Sequence, residues 1–172
     1  MIDSPEAIKI LIDAGFDIDT RDLAGYTTLM KTRSPEVAQL LIDAGADINA
    51  KRITFTPVHQ STDTVLMITE SADIVRLLVK AGANIDAQNT IGYTALMTSE
   101  SLEKIKALID CGADTSIRNQ FGYDAFETFE YLLHHIVTDE ISRYLEHVQL
   151  MLAAKTDASV NDGDSVNNRQ RL

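Results

Sequence analysis

The feature that most limits what this chain can fold into is a block that occurs four times. Leu11-Ile12-Asp13-Ala14-Gly15-Phe16-Asp17-Ile18-Asp19 returns as Leu41-Ile42-Asp43-Ala44-Gly45-Ala46-Asp47-Ile48-Asn49 and as Leu78-Val79-Lys80-Ala81-Gly82-Ala83-Asn84-Ile85-Asp86. Its last copy is Leu108-Ile109-Asp110-Cys111-Gly112-Ala113-Asp114-Thr115-Ser116. The glycines at 15, 45, 82 and 112 lie 30, 37 and 30 residues apart. A fixed period of this size points to units that cannot bury their apolar faces alone and must stack on their neighbours.

Each glycine closes a short amphipathic stretch with a start signal: Ser4-Pro5-Glu6, Ser34-Pro35-Glu36, Ser71-Ala72-Asp73 and Ser101-Leu102-Glu103. A serine caps free N–H groups, proline suits the first helical position, and the acid faces the positive end of the helix dipole. The glycine then suits the left-handed position that ends a helix. Upstream recurs a second block, Gly25-Tyr26-Thr27-Thr28-Leu29-Met30, Thr64-Val65-Leu66-Met67, Gly92-Tyr93-Thr94-Ala95-Leu96-Met97 and, more distantly, Gly122-Tyr123-Asp124-Ala125-Phe126. It has room for a helix of about two turns. The unit is therefore a loop, a short helix and a longer helix.

These blocks together resemble the ankyrin repeat family over about residues 4–126. The resemblance implies an all-α fold, an ankyrin repeat solenoid of helix-loop-helix units with finger loops, ended here by C-terminal capping helices. The expected organisation is repeats over 1–126 with the first incomplete, capping helices over 127–154, and a polar, disordered tail over 155–172. The units depart from the family period of about 33 residues toward a short, bacterial-type repeat. The family's Pro and His in its Thr-Pro-Leu-His segment give way to Thr28, Val65 or Ala95 and to Met30, Met67 or Met97. Methionine fills space between helices but loses the histidine's hydrogen bonds, so looser coupling between units is expected.

Thr56-Pro57-Val58-His59 matches the family motif best, yet it stands 26 residues before Gly82, whereas Thr27, Thr64 and Thr94 each stand 18 before their glycines. Thr64 is thus the structural match. Seven extra residues fall in the finger loop at about 51–63.

The first unit has only its second helix, so Ile8, Leu11 and Ile12 lack a first-helix partner unless Met1, Ile2 or another chain covers them. Self-association through this edge, or loss of a preceding repeat, is the expectation. At the other end Phe126, Phe129, Leu132, Leu133 and Ile136 suggest one helix. Thr138 then caps a second, with Ile141, Tyr144, Leu145, Val148 and Leu152 at helical spacing.

Chemistry is sparse. His134 and His135 are sequence neighbours on different sides of a helix, and His59 and His147 stand apart, so no metal site is expected. Only His134, His135 and His147 would come under suspicion if the C-terminal helices formed an enzyme site. Cys111 aligns with Ala14, Ala44 and Ala81 and is expected to be a buried thiol rather than a nucleophile. The repeating acids read as turn chemistry. No cofactor is implied, and the chain is not expected to be an enzyme.

Recognition remains. The net charge of -11 opposes nucleic acid and anionic membranes and favours a basic protein partner. No apolar run approaches the length of a membrane span, and Asp3 and Glu6 stand where a secretory signal would be basic, so a cytoplasmic protein is expected. By the resemblance, finger loops and first helices contact partner proteins. Tyr26, Tyr93 and Tyr123 each follow a finger glycine, with Asp63 in the intervening slot, and the long finger adds Arg52, Phe55, Pro57 and His59. Tyrosine suits a binding hot spot; packing on adjacent loops is an equally open use of these rings. The expected role is a protein-binding module, in its sharper form a small acidic immunity protein or inhibitor masking a basic partner. The alternative is a secreted effector that binds a host protein.

Overall fold

The computed structural model describes residues 3–53, 62–132, 140, 141, 143, 144 and 146–150. The chain divides into two compact units, Met1–Leu132 and Leu133–Leu172. The first carries α1 (Pro5–Asp13), α2 (Thr28–Lys31), α3 (Pro35–Asp43), α4 (Val65–Ile68), α5 (Ala72–Lys80), α6 (Leu102–Asp110) and α7 (Ala125–Leu132). Among the described residues there is no strand, only an isolated antiparallel bridge between Lys51 and Thr64.

The longer helices begin and end where their sequences direct. The hydroxyls of Ser4, Ser34, Ser71 and Ser101 accept the N–H of Ala7, Val37, Ile74 and Lys104 at 3.3–3.4 Å. At the far end Gly45 adopts φ +89°. Its N–H donates to the Ile42 carbonyl and that of Ala46 to the Leu41 carbonyl, which satisfies two of the helix's last acceptors.

These helices pack in chain order, α1 on α3, α3 on α5 and α5 on α6, while α2 packs on α4. Between them lie Val37, Leu41, Ile74, Leu78, Ile105 and Leu108, all buried. Burying one such side chain is worth about 1.5–3 kcal/mol, so this row dominates the stability of the unit.

The first helices are shorter than the two turns expected. α2 and α4 are single turns of four residues, because Thr32 and Thr69 already return to extended backbone (ψ 141° and 137°) to reach the next serine cap. At 95–98 only a turn forms. There the Ser99 hydroxyl takes the Ala95 carbonyl at 2.6 Å, and the Ser99 N–H falls back on Leu96. In the two helical copies the corresponding N–H groups of Thr32 and Thr69 reach the carbonyl four residues back. A side-chain hydroxyl has displaced the backbone donor.

Thr64 holds the N-cap position of α4 with the same extended backbone as Thr27 before α2 (ψ 168° in both), although only the Thr27 hydroxyl accepts a helix N–H, that of Met30 at 3.4 Å; the shared position fits the choice of Thr64 over Thr56 as the repeat's threonine. The methionines also have a polar use: the sulfurs of Met30 and Met67 accept the N–H of Thr27 and Thr64 at 3.5 Å. In α1 the expected bare face is smaller than its sequence suggests. Ile8 is buried and Ile12 half-buried in a helix packed on α3, and only Leu11, of the three, stays exposed.

In the second unit residues 140, 141, 143, 144 and 146–150 are helical. Ile141 and Val148 are buried, Tyr144 is half-buried and His147 is exposed, in keeping with the helical spacing. Met1, Ile2, Leu133, Ile136, Thr138, Leu145, Leu152 and the tail over 155–172 lie outside the described residues, and so do His134 and His135.

Candidate protein-binding edge

Each finger is closed by one residue seven positions after the helix-ending glycine. The Asp22 carboxylate accepts the N–H of Ala24 and Tyr26 at 2.9 and 3.0 Å, and the Asn89 side-chain oxygen accepts those of Ile91 and Tyr93. Asn119 does the same for Phe121 and Tyr123. The backbone N–H of each closing residue donates to the carbonyl of its tyrosine. An Asx side chain thus fixes the tyrosine's backbone before any ring contact forms.

In the long finger Arg52 holds this slot and cannot accept such bonds. Its N–H instead donates to the Asp63 carbonyl at 2.7 Å, beside the Lys51–Thr64 bridge. Residues 51–52 and 63–64 are therefore pinched together at the place where the neighbouring fingers close. Phe55, Pro57 and His59 fall outside the described residues.

Successive fingers approach so closely that two glycines are obligatory. A Cβ on Gly25 would lie 2.2 Å from the Ile53 carbonyl oxygen, and one on Gly92 would lie 2.8 Å from the Gln120 nitrogen; both residues also have φ near +80°. Side chains then tie finger to finger. Arg21 donates to the Lys51 carbonyl at 2.7 Å and Gln88 to the Arg118 carbonyl at 3.0 Å. Below the fingers Asp19, Asn49 and Asp86 accept the N–H of Asp47, Asn84 and Asp114 in the following unit. The acids do serve as turn residues, as Asp17 does for the Asp19 N–H, but this ladder between units went unread in the sequence. Its signal was an acid or amide four residues after each of the first three glycines.

The described residues of the predicted site fall into two groups. The Arg52 guanidinium stacks over the Tyr26 ring, 4.0 Å from its centroid, and its Nε donates to the Ala24 carbonyl at 3.1 Å. Tyr123 stacks on Tyr131 with ring centroids 5.2 Å apart. Burial, then the neighbouring Tyr123 and Tyr131, push the Tyr93 hydroxyl above its ordinary pKa. Tyr26, Tyr93 and Tyr123 are half-buried, while Tyr131 is 69% exposed. Tyr131 escaped sequence reasoning because it sits on the last first-helix, which outruns the shared repeat pattern. Asp63 accepts the Asn89 amide at 2.8 Å.

Beside Tyr26 opens a groove of about 550 Å³ lined by Met30, Arg33, Ile68 and Glu70 and by the Lys31–Asp22 ion pair at 2.9 Å. The Lys31 bond, followed by the Tyr26 N–H, holds the Asp22 carboxyl below its usual range. Lys104 was also unforeseen. It occupies the position of Val37 and Ile74, is fully buried, and donates to the Met67 carbonyl at 3.0 Å and to Glu70 at 3.4 Å. Burial lowers its pKa, while Glu70 and Glu100 pull the other way.

Cys111 is half-buried rather than buried. It is the C-cap of α6, where the chain turns away from the core, and its counterparts Ala14, Ala44 and Ala81 are exposed. Among the described residues no three His, Cys, Asp or Glu side chains are grouped to hold a metal, and no helix is long and apolar enough to cross a membrane. The family model "Ankyrin repeat" matches residues 55–90. No curated protein matches the chain.

Proposed function

Taking as premise that this chain is an ankyrin repeat protein, a module for protein–protein interaction, we propose that it stacks as a solenoid ended by C-terminal capping helices and binds its partner along the finger edge. Tyr26, Arg52, Tyr93 and Tyr123, with Phe55, Pro57 and His59 of the long finger, form the proposed contact surface. The observation that carries this reading is that finger closure needs only the Asx side chain and the tyrosine backbone. The rings are not needed for that closure and keep accessible surface beside the contacts they make, and large aromatic rings with polar tips are the residues that dominate binding hot spots. The net charge of -11 favours a basic partner, and with it the sharper reading of a cytoplasmic inhibitor or immunity protein that masks that partner.

Capture by the full-length chain, with partners identified by mass spectrometry and then titrated as purified proteins, tests this. Phe55→Ala and Tyr93→Ala are each expected to weaken a basic partner by at least ~1 kcal/mol, mainly through faster dissociation. Added salt should mainly slow association. Wild-type affinity in both variants would remove the finger edge from the site.

A further inference from the structure

The chain itself contains an example of what its finger tyrosines grip. Over Tyr26 the face of the ring is occupied by the guanidinium of Arg52, which belongs to the next finger. The residue in the corresponding place beyond Tyr93 is Asn119. That side chain is committed to its own finger, accepting from Phe121 and Tyr123 and donating to the Thr128 hydroxyl at 3.3 Å. Among the described residues, no cation lies over Tyr93, Tyr123 or Tyr131.

We propose that the Tyr93, Tyr123 and Tyr131 group receives an arginine side chain of the protein partner, seated against these rings as Arg52 is seated on Tyr26. The inference rests on the finger edge being the binding surface. Three observations lead to arginine. The stacked pair Tyr123–Tyr131 offers ring faces, and a flat guanidinium stacks on such faces better than a compact ammonium does. The surroundings are acidic: Glu130, next to Tyr131 on α7, is exposed, and Arg118 is already held by Asp124 at 3.6 Å and Glu127 at 2.7 Å. The whole chain, at -11, attracts cations at long range. An apolar side chain would use the rings but gain nothing from these charges.

The test uses the full chain with isotope-labelled tyrosines, of which it has five and no tryptophan. The probe is a capped Gly-Ser-Arg-Gly-Ser-Arg-Gly peptide, compared with the same peptide carrying citrulline, which is close in shape but uncharged. The arginine peptide is expected to shift the ring signals of Tyr93, Tyr123 and Tyr131 while leaving Tyr26 unmoved, and to bind at least threefold more tightly than the citrulline peptide. Tyr131→Leu, at an exposed position, should weaken it at least threefold. Arg52→Ala should uncover the Tyr26 ring, which then shifts as well. Equal binding of the two peptides, no shift at the three rings, or a Tyr26 that stays silent in the Arg52→Ala variant would each overturn the proposal. These results do not depend on which protein is captured: a partner that needs Tyr93, together with peptides that bind equally, sinks the arginine inference and leaves the finger-edge reading standing.

Discussion

The helical side and the finger side of residues 3–132 are built on different rules. On the helical side one position recurs with one job: Leu41, Leu78 and Leu108 are each at most 2% exposed. On the finger side a shared backbone turn carries different side chains. Position seven after the glycine is Asp22, Arg52, Asn89 and Asn119 in turn, and the ring beside it is covered by a guanidinium in one place and by another ring elsewhere. Apolar burial tolerates uniformity because it has no direction. Polar ties are directional, so a single change of residue re-routes them. Stability should therefore lie in the helix row and individuality in the fingers.

The largest effect expected from that division is in the helix row. Leu78→Ala should cost about 2–5 kcal/mol, the range for emptying a packed site. Leu11 holds the same repeat position but is 41% exposed, so Leu11→Ala should cost less than ~1 kcal/mol. Denaturant unfolding of both variants checks this. Equal losses would mean that the row is not where the stability resides.

The fingers should respond to backbone rather than to side-chain volume. Gly92→Ala meets both a positive φ and two backbone atoms within 3 Å, whereas at Gly122, with φ +84°, nothing lies within 4 Å. The left-handed penalty alone is about 1–2 kcal/mol, which is the loss expected for Gly122→Ala. Gly92→Ala should exceed it clearly, because the neighbouring finger must move. If the two variants melt together, close approach of the fingers contributes nothing to stability.

These contrasts also explain what was legible in the sequence. Helix starts at Ser4, Ser34, Ser71 and Ser101, their glycine ends and the two-block unit are local signals, since a cap and a left-handed turn need only residues a few positions apart. The length of the first helices was not legible, because the early return of Thr32 and Thr69 to extended backbone and the Ser99 hydroxyl's hold on the Ala95 carbonyl depend on geometry that spacing does not reveal. Nor was the ladder from Asp19, Asn49 and Asp86, whose acceptors act on the next unit 28 to 35 residues away. Tyr26, Tyr93 and Tyr123 were visible as a series; that Arg52 seals one and Tyr131 adjoins another was not.

Lys104 breaks the uniformity of the helical side and so tests it. Lys104→Ala removes a buried stem and should cost about 2 kcal/mol. Lys104→Met keeps the volume, as Val37 and Ile74 keep an apolar residue in that slot, and should stay within ~1 kcal/mol of wild type near neutral pH. Its loss of the bond to the Met67 carbonyl offsets relief from burying a charge. The sign with pH follows from burial lowering the lysine's pKa below its ordinary 10.5. Between the lowered value and 10.5 the unfolded chain binds more protons than the folded one, so wild-type stability gains with rising pH. Relative to Lys104→Met, wild type should therefore improve across that window. A constant difference would mean that the amine titrates alike in both states.

The smallest effect belongs to the finger that is already covered. Arg52 contributes a stacked cation over Tyr26 and one bond to the Ala24 carbonyl, both near solvent, where a cation–π contact is worth about 0.5–1 kcal/mol. Arg52→Ala should lower stability by about that much, and the Tyr26 ring signal should move as the guanidinium's influence on it disappears. Arg52→Lys keeps the charge but not the planar fork, so it should recover only part of the loss. The same finger is pinched by the Arg52 N–H and the Lys51–Thr64 bridge, which neither substitution touches. A loss well above ~1 kcal/mol in Arg52→Ala would therefore mean that the side chain, and not the backbone, holds the long finger closed. The fingers would then share in the stability assigned here to the helices.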